Sequence, residues 1–151
     1  MTTMSILLAT DGSPEALSAA DWLNRWANPS TVEVTVATVI SPPSLSWTAG
    51  AGGFMIDAET YTKAFQDLVQ DEHVQAQKAL DDTRAQLTRC PPVKEEVLLG
   101  APPKALVEYA TTHHIDLIVM GRRGHSALGN LMGSVSFGVL HRSPIPVTIV
   151  S

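Results

Sequence analysis

The sequence lacks most of the features that name a function outright, and each absence excludes something. It holds one cysteine, Cys90, in 151 residues, so no internal disulfide framework can form and a reducing compartment suits it. Pro91 and Pro92 follow that cysteine and no partner residue accompanies it, which favours a structural thiol over a reactive one. No apolar run approaches the roughly 20 residues of a membrane-spanning helix. The opening stretch, MTTMSILLATDGS, has neither the basic region nor the long apolar core of a secretory signal. The expectation is a cytoplasmic chain without membrane attachment. Basic residues are also scarce, with 10 Lys+Arg against 15 Asp+Glu and a net charge of −5. Such a chain lacks the basic face with which nucleic-acid-binding proteins displace counterions. Any anion it binds must be held locally, by backbone N–H groups or a few placed cations.

Three signatures are missing as well. There is no G-x-x-x-x-G-K-[ST], which argues against a P-loop ATPase, and no G-x-G-x-x-G after the first strand-like run, which argues against a usual dinucleotide fold. No G-x-S-x-G nucleophile elbow occurs. Internal repeats and linkers are absent too, so residues 1–151 are expected to form a single domain.

What is present is an alternation. Five apolar, β-branched runs, at residues 5–10, 31–40, 93–100, 115–121 and 145–150, are separated by helical patterns. The first helix begins with Ser13 as N-cap, Pro14 at its first position and Glu15 in its first turn. A long helical pattern runs over about 56–89, another over 102–114, and a short one, SVSFGVLHRS, over 134–143. Residues 41–53, rich in Pro, Ser and Gly, are expected to form a mobile loop containing Trp47. The order βαβαβαβαβ predicts an α/β fold, a doubly wound five-stranded parallel sheet with helices on both faces.

In such sheets ligands bind beyond the C-terminal ends of the strands, where the strand order reverses. The loop after the first strand, TDGSP, carries a lone carboxylate, Asp11. The loop after the fourth, GRRGHSALGNLMGS, is rich in glycine. One reading is phosphate binding. Gly121 and Gly124 would allow positive φ and close approach of a ligand, and Gly133 and Ser134 would open a helix whose first N–H groups lack acceptors. Ser134 and Ser136 would add hydroxyl donors, while Arg122, Arg123 and His125 would add positive charge. The other reading is structural, since glycine at a strand end and serine at a helix start also occur in loops that bind nothing. Composition alone leaves the two level.

The stretches ILLATDGSPEALSAADW, VLLGAPPKALVEYA and DLIVMGRRGHSALGNLMGSVSFGVLHRSPIPVTIV resemble the universal stress protein family, in particular UspA-like domains of the ATP-binding type. The resemblance covers nearly the whole chain apart from residues 41 to about 89. It implies the adenine nucleotide alpha-hydrolase-like fold with strand order 3-2-1-4-5, which makes strands one and four neighbours. It implies an ATP or related adenine-nucleotide site, with Mg²⁺ accompanying the nucleotide near Asp11. Ala9 and Thr10 would stand beside Asp11, and the backbone of Val39 would meet the adenine. Met120, Gly121, Arg123, Gly124, His125, Gly133, Ser134, Val135 and Ser136 would form the ribose and phosphate loop. The family motif G-x2-G-x9-G-[ST] is one residue shorter here, with eight residues between Gly124 and Gly133. Either Gly129 absorbs the difference, or His125 and Ser126 shift relative to the phosphates.

The charged run at 70–86 is most simply a solvated helix face. Trp22 and Trp26, four apart, should pack together. His113 and His114 fall at a helix end, where capping is a better role than metal binding. The last strand, apolar and at the sheet edge, is expected to pair with a second copy as a homodimer, which the resemblance also implies. No catalytic base or nucleophile stands out, which favours a non-enzymatic nucleotide-binding sensor or regulator in stress adaptation. The alternatives are a weak ATPase or phosphotransferase, including slow autophosphorylation at Ser134 or Ser136, and a ligand-free dimeric scaffold.

Overall fold

Five strands pair in parallel in the order β3-β2-β1-β4-β5, namely β1 (Met4–Ala9), β2 (Val32–Ile40), β3 (Lys94–Leu99), β4 (Leu117–Gly121) and β5 (Val147–Val150). They come from a computed structural model that describes residues 2–41, 58–124 and 132–151. The helices among those residues are α1 (Pro14–Asn24), α2 (Ala58–Gln86), α3 (Pro102–Thr112) and α4 (Ser134–Arg142). The α/β class and the order 3-2-1-4-5 are therefore as expected. The loop at 41–53 and Trp47 fall outside the described residues, apart from Ser41.

The period-two alternation of side chains divides the core into two layers. Ile6 and Leu8 of β1, with Val32, Val34 and Val36 of β2, face α1 and α2 and meet Ala20, Leu23 and Leu80 there. Leu7 and Ala9, with Ala37, Ile118 and Met120, face the opposite way and pack on Leu106 and Ala110 of α3 and Val139 of α4. Helices thus cover both faces of the three central strands, whose apolar runs are continuous for that reason. Cys90 is buried in the first layer, with Sγ 3.7 Å from the Val32 carbonyl. Burial pushes its thiol pKa up and keeps the sulfur protonated and inert, as a structural cysteine should be.

Local chemistry sets the element ends. Ser13 caps α1, with Oγ accepting from the Ala16 N–H at 3.3 Å, and Pro14 follows as anticipated. Trp22 and Trp26 meet edge to face with centroids 5.2 Å apart. The charged run of α2 is solvated along its Lys78–Asp82 and Arg84–Asp81 pairs, while Ala76, Ala79, Leu80 and Thr83 form the buried stripe.

α3 ends in a six-residue cap. The Ile115 N–H reaches the Ala110 carbonyl at 2.9 Å, and the His114 N–H reaches Thr111 at 3.4 Å. His114 occupies the left-handed position with φ 54°, where glycine is the usual occupant. His113 stacks on Tyr109 with centroids 3.9 Å apart. The histidine pair is thus spent on ending the helix. This cap also corrects the expected start of the fourth strand from residue 115 to Leu117, because Ile115 still belongs to the helix end.

α3 and α4 lie side by side and close. A Cβ on Gly138 would fall 2.6 Å from Cγ of Pro103. The proline ring is rigid and sits in the first turn of α3, so it cannot swing aside.

The two edges of the sheet differ. β3 carries Lys94, Glu95 and Glu96, with Lys94 paired to Glu96 at 3.1 Å and Glu95 held by Arg84 at 2.9 Å. β5, VTIV, carries no charge and is half-exposed along its whole length.

Two substitutions test these local arguments. His114→Gly relieves the left-handed strain at an exposed position and should raise stability by about 0.5–1 kcal/mol, read as a higher urea midpoint. Gly138→Ala, although favoured by helix propensity, should lower stability by about 1–2 kcal/mol because α3 must move away. A gain there would show that the helices can separate freely.

Candidate functional site

A cavity of about 390 Å³ opens where β1, β2 and β4 end, within the usual size of small-molecule sites. Its sheet side is apolar and comes from Ala9, Ala37, Val39 and Met120, with Leu106 and Pro102 added by α3. Its rim is polar and comes from Thr10, Asp11, Gly121, Arg123 and Gly124. The start of α4 closes one side through Gly133, Ser134, Val135 and Ser136. Apart from Arg122, whose carbonyl instead accepts from the start of α4, every candidate named from the sequence that lies among the described residues lines this space. His125, Ser126 and Gly129 lie outside the described residues. Ala16, Ala37, Thr38, Pro102, Leu106 and Met132 line the cavity without having been singled out. Of these, Pro102 had a signal, its place in GAPP directly after the third strand-like run.

The turn that presents Asp11 is pinned from below. The Gly12 N–H donates to Thr10 Oγ1 at 3.1 Å, and the Ser13 N–H donates to Asp11 Oδ1 at 2.9 Å. Gly12 has φ 77°, and a Cβ there would lie 3.2 Å from the Ala79 Cα of α2. Thr10 and the fully buried Thr83 share a hydrogen bond of 2.7 Å between their hydroxyls. α2 therefore fixes the aspartate through Ala79 and Thr83, two residues far away in sequence that local motifs do not reveal.

The glycines of the second loop serve close approach and not left-handed turning, which corrects half of the sequence expectation. Among the described glycines, left-handed φ occurs at Gly12 and Gly100 alone. A Cβ on Gly121 would lie 2.7 Å from the carbonyl carbon and oxygen of Glu15, so the first turn of α1 rests directly on the end of β4. A Cβ on Gly124 would overlap Asp11 Oδ2. The two loops interlock, and small residues are what permit it.

At the start of α4, Gly133 is the N-cap, in extended conformation and without any side-chain cap. By helix geometry the N–H groups of Ser134, Val135 and Ser136 have no intrahelical acceptor, and all three residues line the cavity. The positive end of the helix dipole faces the same space. Ser136 is only 2% exposed, and its hydroxyl lies 2.6 Å from the Arg122 carbonyl and 3.0 Å from that of Gly133. The Gly133 N–H also donates to the Arg122 carbonyl, at 2.9 Å. The Ser136 side chain thus fastens α4 to the end of β4, which leaves its backbone N–H, and not its hydroxyl, without a partner inside the helix. Ser134, by contrast, is exposed at the first helical position.

Arg123 forms an ion pair with Glu15, Nη2 to Oε1 at 2.8 Å, with both side chains about three-quarters buried. Among the described residues no group of three His, Cys, Asp or Glu side chains could hold a metal. A hard cation would need oxygen ligands beyond Asp11, of the kind a phosphate and water provide. No helix among the described residues is long and apolar enough to cross a membrane.

Comparisons with known proteins agree with this architecture. The model of the universal stress protein family matches residues 2–151. A universal stress protein of Thermus aquaticus is 30% identical over 147 residues, covering 97% of both chains. Another, of Mycolicibacterium smegmatis, is 30% identical over 150 residues, and the chain spans 48% of its length. Among solved structures, a universal stress protein in complex with cAMP is 29% identical with a TM-score of 0.68, over 100% of this chain and 99% of that one. With its sheet order, its crevice and its sequence all in accord, the chain belongs to the universal stress protein family.

Proposed function

We propose that this chain binds an adenine nucleotide in the cavity at the ends of β1, β2 and β4, and acts as a single-domain cytoplasmic sensor or regulator of stress response. The observation that carries the reading is the pairing of an apolar pocket with an uncapped helix N-terminus on one side of it. Val39, Met120 and Leu106 offer a surface for a flat aromatic base. The free N–H groups of α4 offer a place for phosphate oxygens. The solved relative with cAMP supports an adenylate as the ligand class. ATP fits the same division, with Mg²⁺ brought by the nucleotide and Asp11 as its one protein carboxylate.

Titration calorimetry with AMP, cAMP and Mg-ATP tests this reading. Saturable binding of at least one adenylate is the expected result, and flat traces for all of them would overturn it. Gly124→Val should weaken binding about tenfold or more, because its side chain displaces the Asp11 carboxylate that the loop now touches. Unchanged affinity in that variant would move the phosphate away from this loop.

The functional unit is proposed to be a homodimer joined through β5. The Ile118 and Arg122 N–H groups donate to the Pro146 and Val150 carbonyls, so Val147 and Ile149 present their own N–H and C=O away from the sheet. Phe137, 63% exposed, and Leu140 stand on α4, the helix that packs against β5. Sedimentation at micromolar concentration should give twice the 16.1 kDa chain mass, and Ile149→Pro, which removes an outward donor, should give the single chain. A wild-type species of 16.1 kDa alone would refute the dimer.

A further inference from the structure

Sulfur is unevenly placed among the described residues. Cys90 is 1% exposed and packs in the layer under α1 and α2, away from the cavity. Met4, at the start of β1, is 38% exposed, and Met132, which lines the cavity, is 36% exposed. Met120 is only 5% exposed, yet it lines the cavity too. It lies on β4, an inner strand, in the layer packed against Leu106 of α3 and Val139 of α4. With strands on either side and helices over it, its thioether has the cavity as its route to solvent. An occupied cavity closes that route, and an empty one leaves it open.

We propose that Met120 is an oxidation site through which hydroperoxides lower the affinity of the cavity for its adenylate. The proposal rests on the adenine-nucleotide reading. The sulfur lone pair attacks one oxygen of hydrogen peroxide, and the O–O bond breaks as the S–O bond forms. The released hydroxide takes the proton from the transferred oxygen and leaves as water. The thioether is thus oxidised to the sulfoxide while peroxide is reduced, and methionine sulfoxide reductases reverse the change. The core around Met120 is close-packed, so the added oxygen has room only in the cavity. There it narrows the space beside Val39 and Leu106 where the base is proposed to lie. It also makes an apolar surface polar without supplying a donor for the new acceptor. Met132 is more exposed and reacts sooner, but it adjoins Gly133 on the side proposed for phosphates, so its oxidation leaves the base surface intact.

The experiment treats the purified chain with hydrogen peroxide, with and without AMP, and follows sulfoxide at Met4, Met120 and Met132 by peptide mass spectrometry. AMP affinity is read by calorimetry before and after treatment in wild type, Met132→Leu and Met120→Leu, each compared with its own untreated form, with thermal unfolding as a check on folding. AMP at about ten times its dissociation constant should slow oxidation of Met120 about tenfold and leave Met4 unaffected. Conversion of Met120 should weaken AMP binding about tenfold in wild type and in Met132→Leu. Methionine sulfoxide reductase should restore it, and Met120→Leu should show no loss on treatment. Met120 sulfoxide with undiminished AMP affinity would overturn the proposal. So would a Met120 that stays reduced while Met4 and Met132 are converted, or one that AMP does not protect. A loss that Met132→Leu abolishes, or that Met120→Leu shares in full, would place the effect elsewhere and overturn the proposal too. Untreated wild type that binds no adenylate would instead overturn the nucleotide reading itself, before any peroxide is added.

Discussion

The first turn of α1 lies on the last residue of β4 with no space for even one extra carbon between them. The geometry of the cavity follows from that contact. It can form only if β1 and β4 are neighbours, because α1 follows β1 directly and must cross the end of the adjacent strand to reach Gly121. It brings the Asp11 turn against Gly124. It also sets Glu15 where Arg123 can reach it. A bulkier residue at 121 would lift α1 from the sheet and separate both loops at once, since packed interiors transmit such displacements.

Around that contact the site divides its labour by chemistry. The sheet and α3 supply an apolar pocket with few directional demands. The rim is a set of hydrogen bonds between backbone and short side chains, in which Thr83, Thr10, Gly12 and Ser13 brace one loop, and Ser136 and the Arg122 carbonyl brace the other. Such braces cost little side-chain entropy because the residues are short. They hold the N-terminus of α4 toward the cavity without filling it. The helix start therefore stays uncapped by its own chain, unlike that of α1, where Ser13 provides the cap.

Much of this was legible in the sequence, for identifiable reasons. The alternation of Val32, Val34 and Val36 marks one face of β2 because side-chain direction in a strand depends on adjacent positions alone. The cap of α1 was legible for the same reason, being a contact over three residues. The site was legible as a set of loops because their position at strand ends follows from the βα order. What each loop residue does was harder to read. Gly121 and Gly124 are needed for neighbours contributed by residues 15 and 11, which no local window contains. The hydroxyl of Ser136 was read as facing a ligand, yet the chain itself supplies the Arg122 carbonyl as its acceptor. The pairing of Arg123 with Glu15, like the support from Ala79 and Thr83, belongs to tertiary structure. Strand order itself came from family resemblance, since alternation fixes the elements and not their sequence across a sheet.

The unlike borders of the sheet bear on how far such a molecule can polymerise. Strand addition demands a free row of backbone groups and neighbours that tolerate burial. The Lys94, Glu95 and Glu96 border meets the first demand and fails the second, because an arriving strand would have to strip water from charges already committed to partners. The uncharged VTIV border meets both. With one receptive border per chain, two copies meeting about a two-fold axis use up every receptive border between them. Were copies to pair there, growth by this route would stop at a closed pair, and a fibre would have nowhere to begin.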